Sequence, residues 1–216
     1  MCMTKIKYIF ILILVYCAFI VGNSFLAGMF FAFTGSLNIA THVSRCAFSI
    51  PFLCVLFKGT KISVRECQQN THVCSKEWLI LSAVGIVLGF ISTLYGHLLR
   101  PVSGSFLLSH ATQLSECVAY IFGVLVVAPV VEELLFRKWM ISYLERNNFN
   151  VFIIIIVSST LFFMGHIDWT RNIFRFDTFV FAVILCCIYL KYHDVRPCMF
   201  VHFVNNLVVN MIICIY

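Results

Sequence analysis

The sequence predicts an all-α membrane protein, a bundle of about seven transmembrane helices. Of its 216 residues, 62% are hydrophobic and only 11% are charged, and the mean hydropathy is +0.99. A soluble domain carries about 25% charged residues. A folded chain of this size cannot hide so much apolar surface from water, which excludes a soluble globular protein. By its length the chain forms a single integral-membrane domain, residues 1–216.

The first three predicted helices cover residues 8–33, 36–57 and 78–99. The first apolar run is too long for the core of a signal peptide and is expected to stay in the protein. His42, Arg45 and Pro51 interrupt the second, which can span a membrane only if its polar side chains face protein. The third has about 20 apolar residues, the length that a bilayer requires.

The fourth predicted helix, residues 112–146, is longer than a bilayer requires. Pro129 removes one backbone hydrogen bond and is expected to kink it. Beyond Arg137 the pattern indicates an amphipathic, interfacial extension over residues 138–146. The last three predicted helices follow the turn at Asn147-Asn148 and cover residues 149–166, 174–190 and 197–216.

Basic residues orient the predicted helices, because loops on the inner side of a membrane are enriched in Lys and Arg. With the N-terminus inside, ten basic residues fall on the inner side and four, including Arg45, on the outer side. We therefore expect a multi-pass protein of the bacterial cell membrane with a cytoplasmic N-terminus. The net charge of +6 does not indicate nucleic-acid binding, since the basic residues form no single block.

Eleven cysteines do not indicate a disulfide framework, because most lie in apolar runs, where Cys behaves as a small hydrophobic residue. Cys67, His72 and Cys74 share one polar loop. Their spacing is not a standard zinc pattern, so no metal site is expected there.

Two adjacent carboxylates, Glu132 and Glu133, lie in the apolar fourth helix. A charged side chain at membrane depth costs roughly 2.5–3.5 kcal/mol on insertion scales, so each needs a partner or a function. Glu133 and Arg137 are four residues apart and share a helix face, which predicts a structural ion pair. Glu132 points about 100° away and has no partner on its own helix, which indicates a functional carboxylate. The alternative is that both acids lie at the wet end of a membrane helix.

Two later apolar runs argue against that alternative. One ends in Phe162-Phe163-Met164-Gly165-His166, and the other opens with His202-Phe203-Val204-Asn205-Asn206. Counting from the turn at Asn147-Asn148 brings Glu132 beside the fifth helix, one turn from His166. We therefore predict that Glu132, His166, His202 and Asn206 converge on one cavity that opens toward the cytoplasm.

The motifs resemble those of the CPBP family of intramembrane proteases. Glu132–Arg137 is similar to an EExxxR motif, Phe162 and His166 to FxxxH, and His202 and Asn206 to HxxxN. That family includes type II CAAX prenyl endopeptidases and the bacteriocin-processing or bacteriocin-immunity proteins called Abi. The motifs cover the region from Ala128 to Asn206, within a protease core of about residues 112–216. One departure is Lys138, where the family usually has Gly after the arginine.

The resemblance implies a role for each motif residue. Glu132 would activate a water molecule with help from His166, and His202 and Asn206 would stabilise the oxyanion. Glu133 and Arg137 would support them. Family members are often described as metalloproteases, which would make Glu132, His166 and His202 ligands of Zn²⁺. A metal-free, glutamate-activated water is the other mechanism that the resemblance implies.

The residues themselves are consistent with both mechanisms. Peptide hydrolysis needs a base that removes a proton from water and donors aimed at the oxyanion. Two His and one Glu can hold zinc and leave one position open. The leading hypothesis is therefore an endopeptidase that cleaves a peptide or lipidated peptide near the cytoplasmic face, among membrane lipids. Two alternatives stay open: an immunity protein that sequesters a bacteriocin without cleaving it, and a small transporter in which these groups relay protons.

Overall fold

A computed structural model describes residues 2–62, 73–99, 114–167 and 173–215, and within these ranges it has seven helices and no β-strand. The predicted all-α bundle is confirmed. Loop residues Cys67 and His72, together with residues 100–113 and 168–172, lie outside the described parts. The helices are α1 (Cys2–Thr34), α2 (Leu37–Thr60), α3 (Ser75–Leu99), α4 (Leu114–Arg146), α5 (Val151–Met164), α6 (Phe176–Tyr192) and α7 (Val195–Ile215).

Four of the described helices are long and apolar enough to cross a membrane. The qualifying stretches are Lys5–Thr34, Ile39–Thr60, Ser75–Leu98 and Leu114–Arg146. Val151–Met164 is apolar but shorter, at 14 residues or about 21 Å. The chain is therefore an integral membrane protein, as its composition predicts.

Successive helices run in opposite directions, so their ends form two groups. The end that carries the start of α1 is called here the basic end. Three contacts join helices there: Lys5 Nζ to the Asn148 carbonyl at 3.0 Å, Arg146 to the Lys61 carbonyl at 3.0 Å, and Lys191 Nζ to Glu77 at 3.3 Å. The other end, where α1 finishes and α2 starts, is called the opposite end.

Two stretches of the helix α4 depart from α-helical hydrogen bonding. Two π-helical stretches, Gly123–Val127 and Leu134–Ile141, flank the short α-helical segment Ala128–Glu133. The N–H group of Ala128 donates to the carbonyl of Gly123, five residues earlier. Such stretches are rare and often occur at functional sites. The two π-helical stretches thus lie on either side of both glutamates and of Pro129, where a kink is expected.

The end of α4 corrects one prediction. Residues 138–146 are not an interfacial extension, since the side chains of Trp139, Ile141 and Leu144 are fully buried. Tyr143 stacks against Trp139 and meets the edge of Tyr8 from α1. Neighbouring helices supply this cover, which the periodicity of a single helix cannot reveal.

The second helix can span a membrane because polar side chains on it face other helices. It continues through Pro51, and His42 is buried with its ring against the edge of Tyr120 from α4. A side chain at Gly123 would overlap the His42 ring, so the glycine lets α2 approach α4 closely. Ser49 donates a hydrogen bond to Asn23 of α1 at 3.2 Å.

Two glycines let α3 pack tightly against α7. A Cβ atom at Gly85 would lie 2.8 Å from Val204 Cβ, and one at Gly89 would lie 2.7 Å from Val208 Cβ. Backbone carbonyls of α7 would be 3.0 Å away in both cases. Small residues four apart commonly permit such close packing of membrane helices. These glycines therefore set the position of the helix that carries His202.

We expect Gly89→Ala and Gly85→Ala to destabilise the protein, because the added methyl group must displace the backbone of α7. Overpacking of this kind typically costs about 1–3 kcal/mol. The matched control is Gly96→Ala on the same helix, where a Cβ atom would meet nothing within 4 Å. Thermal unfolding in detergent measures the effect. Equal melting temperatures for Gly89→Ala and Gly96→Ala would contradict the tight α3–α7 contact.

Candidate active site

The predicted ion pair between Glu133 and Arg137 is confirmed. Arg137 Nε lies 3.1 Å from Glu133 Oε2, and both side chains are completely buried. The two atoms attract electrostatically but are not aligned as a hydrogen bond, and Arg137 also donates to the Ala182 carbonyl at 3.3 Å. The guanidinium lies 4.6 Å from the ring centre of Phe162. This arginine thus balances the buried charge of Glu133 and joins α4 to α5 and α6.

His202 lies between the two glutamates. Its Nδ1 atom donates to Glu133 Oε1 at 2.8 Å, and its Nε2 atom lies 4.0 Å from Glu132 Oε2. Since a carboxylate only accepts, the contact places a proton on Nδ1. The imidazole also packs against the rings of Phe162 and Phe181. Its Nε2 is thereby directed at the unpaired carboxylate of Glu132.

Glu132 has a second neighbour that the sequence prediction missed. Arg45 of α2 places its NH1 atom 3.8 Å from Glu132 Oε1. The predicted topology counted Arg45 only among the charges of the outer side and did not place it in the site. The available signal was a charge in an otherwise apolar run, but a sequence does not show which helix such a charge will face.

His166 lies in the turn just after α5. Its Nδ1 donates to the Phe162 carbonyl at 2.9 Å, and its ring stacks on the Phe162 ring with centres 4.6 Å apart. The Phe162 ring thus touches both His166 and His202. With Nδ1 occupied, Nε2 is the ring nitrogen of His166 left to face the site.

The side chain of Asn206 makes a hydrogen bond that joins α7 to α4. Its Nδ2 donates to the Val124 carbonyl at 3.0 Å, inside the first π-helical stretch of α4. One turn further along α7, Asn210 donates to the Asn206 carbonyl and accepts from Tyr120. The second amide hydrogen of Asn206 is the one that can serve the predicted oxyanion role.

We expect Asn206→Ala to lower the melting temperature as well as any activity, because it leaves the Val124 carbonyl without its donor. Loss of a partner to a buried polar group costs about 1–3 kcal/mol. Asn147→Ala is the control, since Asn147 donates to the Tyr143 carbonyl in the α4–α5 turn, at the other end of α4 from Val124. An unchanged melting temperature for Asn206→Ala would show that the Val124 contact adds no stability.

Two neighbouring cavities share His166 and Phe162 in their walls. The larger, of about 630 Å³, contains Glu132, Arg45 and His166. The smaller, of about 160 Å³, is lined by His166, His202 and Asn206, together with Arg175 and Asn205. Glu132, His166, His202 and Asn206, which were predicted to line one cavity, thus line two adjoining cavities.

The direction in which the larger cavity opens bears on two predictions. Glu132 lies in the middle part of α4, 14 residues before Arg146. From there the cavity follows α1 from Tyr16 to Phe31 and passes Thr41 near the start of α2. It therefore opens toward the opposite end, away from the N-terminus. With a cytoplasmic N-terminus this is the outer side, so the two predictions, an inner N-terminus and a cytoplasmic opening, are incompatible.

Zinc binding by Glu132, His166 and His202 stays a prediction. Among the described residues, no three His, Cys, Asp or Glu side chains are grouped so that they could hold a metal ion. Glu132 Oε2 and His202 Nε2 are 4.0 Å apart, while the His166 ring is tied to its own helix. We therefore derive no catalytic step through a metal.

The match to a known protein family covers the region in which these residues lie. Residues 114–208 match the model described as "Type II CAAX prenyl endopeptidase Rce1-like". This part of the chain is similar to the Rce1-like type II CAAX prenyl endopeptidases. Comparison with curated proteins and with solved structures finds no match.

The matched region contains all six predicted site residues: Glu132, Glu133, Arg137, His166, His202 and Asn206. It begins at the first residue of α4 and ends within α7. The helices α1 to α3 precede it, yet α1 and α2 supply one wall of the larger cavity, including Arg45. Lys138, the departure from the family pattern, is buried at 3% exposure beside Arg137 and lines neither cavity.

Proposed function

We propose that the protein is an intramembrane endopeptidase that hydrolyses a peptide bond by a glutamate-activated water. The observation that carries this proposal is the placement of Glu132. Its carboxylate, 14% exposed, lies in the wall of a large cavity, with a histidine nitrogen 4.0 Å away. A carboxylate in that position can act as a base on water, and the histidine beside it can act as a donor.

The first chemical step is attack on the scissile carbonyl. Glu132 removes a proton from the water, whose oxygen bonds to the carbonyl carbon as the C=O π electrons move to the carbonyl oxygen. His166 accepts the other water hydrogen through Nε2 and so orients the attacking lone pair. This role requires the tautomer that its contact with Phe162 already selects.

The second step stabilises and then collapses the tetrahedral intermediate. His202, protonated on both nitrogens, donates from Nε2 to the oxyanion while Nδ1 stays on Glu133. Asn206 adds its second amide hydrogen. The oxyanion electrons then re-form the C=O bond as the C–N bond breaks, and Glu132 passes its proton to the leaving nitrogen, which releases an amine and a new carboxylic acid. Transfer of the acid proton to the amine gives the carboxylate and ammonium products. Glu133 fixes the His202 ring, and Arg137 balances the charge of Glu133.

The substrate proposed is a peptide or a lipidated peptide of the CAAX or leader type. The larger cavity, about 630 Å³, is open and can admit an extended peptide segment. A separate groove of about 540 Å³ between α2 and α4 has an almost wholly apolar lining. Val131, next to Glu132, lines both spaces, so an attached lipid chain in the groove would lie close to the reacting bond.

The direct test is hydrolysis by the purified protein in detergent or vesicles. Prenylated and unmodified peptides are incubated in ¹⁸O-labelled water, and the products are analysed by mass spectrometry. We expect cleavage with one ¹⁸O atom in each new carboxylate. Parallel reactions with a chelator, followed by addition of Zn²⁺, separate the two mechanisms: activity that is lost and restored would replace the metal-free mechanism with a zinc-dependent one.

A second candidate is an immunity protein that sequesters a peptide without cleaving it. The direction of the larger cavity favours it, since a cavity opening away from the basic end faces outward when the N-terminus is cytoplasmic. This candidate predicts saturable peptide binding with no ¹⁸O incorporation. Binding retained by Glu132→Gln together with absent cleavage by the wild type would favour it over the protease.

A further inference from the structure

We propose that Arg45 is a positioning residue for Glu132, supplied by a helix that lies outside the matched region. This inference rests on the proposed hydrolytic function of Glu132. Arg45 belongs to α2, whereas the family match begins at residue 114. The chain thus completes its candidate site with a cation that none of the three motifs contains.

The contact geometry shows how Arg45 acts on the carboxylate. Arg45 NH1 lies 3.8 Å from Glu132 Oε1, while His202 Nε2 lies 4.0 Å from Oε2. Each carboxylate oxygen therefore has its own cationic or donor neighbour. Both distances exceed those of ordinary hydrogen bonds, so neither neighbour occupies the lone pair that must receive the water proton. The two together restrict rotation of the carboxylate and leave it free to act as a base.

The placement of Arg45 is fixed by its own helix. Three residues earlier on α2, His42 packs into the space that Gly123 leaves on α4. One residue earlier, Ser44 is buried and donates to the Thr41 carbonyl. The His42 contact holds α2 against α4. Arg45 itself is 30% exposed and lines the larger cavity, so its ion pair is within reach of small solutes.

Charge balance gives a physical reason for the arrangement. Arg137 is paired with Glu133, which leaves Glu132 as the second carboxylate of a pair in a membrane helix. An isolated carboxylate there is costly, and a cation from a neighbouring helix reduces the cost. Without Arg45, the Glu132 side chain would have its remaining neighbours on one side only and could turn away from the reacting water.

The test compares Arg45→Ala, Arg45→Lys and wild type in the full chain, with kcat and KM measured separately. For Arg45→Ala we expect kcat to fall about 10–100-fold with KM within twofold, because positioning affects the reaction step rather than binding. Arg45→Lys should recover much of the loss. Guanidinium chloride at low, non-denaturing concentration should partly restore Arg45→Ala, since the cavity admits a small cation.

The control is Arg196→Ala, which removes an arginine from an exposed pair with Asp194 and should leave kcat unchanged. A raised KM at unchanged kcat would overturn positioning and make Arg45 a substrate-binding residue instead. The positioning role would also be overturned if neither Arg45→Lys nor added guanidinium restores kcat. This outcome counts only if the variant elutes as folded protein.

A double-mutant cycle separates failure of this inference from failure of the proposed function. Melting temperatures are measured for Arg45→Ala, Glu132→Gln and the double variant, with no assay of hydrolysis. We expect the double variant to lose less stability than the sum of the losses of the two single variants, because either single substitution already breaks the pair. Additive losses would refute the Arg45–Glu132 coupling. If the wild type cleaves nothing while coupling is present, the proposed function fails and the contact stands.

Discussion

Replacing Glu132 by Gln is expected to abolish peptide hydrolysis while the protein still inserts and folds. Glutamine keeps the size of the side chain but cannot take a proton from water. Loss of a general base typically reduces the rate about 10²–10⁴-fold. Folding should survive because the contacts of Glu132 with Arg45 and His202 are long, and the substitution removes a charge from a membrane helix.

The measurement is the rate of ¹⁸O incorporation, with elution volume and melting temperature recorded for each variant. Glu145→Gln is the matched control, because it removes a carboxylate from the same helix, 13 residues toward the basic end, outside both cavities. Full activity in Glu132→Gln would remove the base assignment and, with it, the mechanism proposed above.

The second large effect is expected from Arg137→Ala, on stability as well as activity. The substitution leaves the fully buried Glu133 without its cation and removes the contacts with Ala182 and Phe162. Breaking a buried pair in this way costs roughly 3–5 kcal/mol. Activity should fall as well, since Glu133 also holds His202 in place.

Thermal unfolding in detergent measures this effect against Arg196→Ala, whose side chain is 69% exposed and paired with Asp194. Exposed pairs are worth about 0–1 kcal/mol. Equal melting temperatures for the two variants would mean that the Arg137 charge is not buried in the membrane-embedded protein. A double variant, Glu133→Leu with Arg137→Met, should be more stable than Arg137→Ala alone, because no buried charge remains unpaired.

Most of the fold could be predicted from the sequence because hydropathy is a local property. Each of the seven described helices lies within a few residues of an expected apolar run, and the α4–α5 turn lies at Asn147-Asn148. The i, i+4 spacing of Glu133 and Arg137 was sufficient to predict their contact, since both residues are on one helix. The motif spacings sufficed to indicate the family whose model matches residues 114–208.

Relations between helices could not be predicted in the same way. Residues 138–146 have an amphipathic pattern, yet neighbouring helices bury their apolar side chains inside the bundle. Counting the predicted helices in order assigns Arg45 to the outer side of the membrane, but the structure shows that it faces Glu132 across a helix interface. Asn206 fits a motif for catalysis, and only the packing of α7 on α4 reveals that it also holds the Val124 carbonyl.

The sequence by itself determined the membrane class, the helix positions and the identity of the polar residues in each helix, because periodicity and hydrophobicity act within one segment. Only the tertiary structure decided which carboxylate oxygen faces Arg45 and which faces His202, and toward which end the cavity opens. These features depend on helix tilt, on the close approach that glycines such as Gly123 and Gly89 permit, and on the early end of α5. Each arises from contacts between residues far apart in the chain, which no local pattern records.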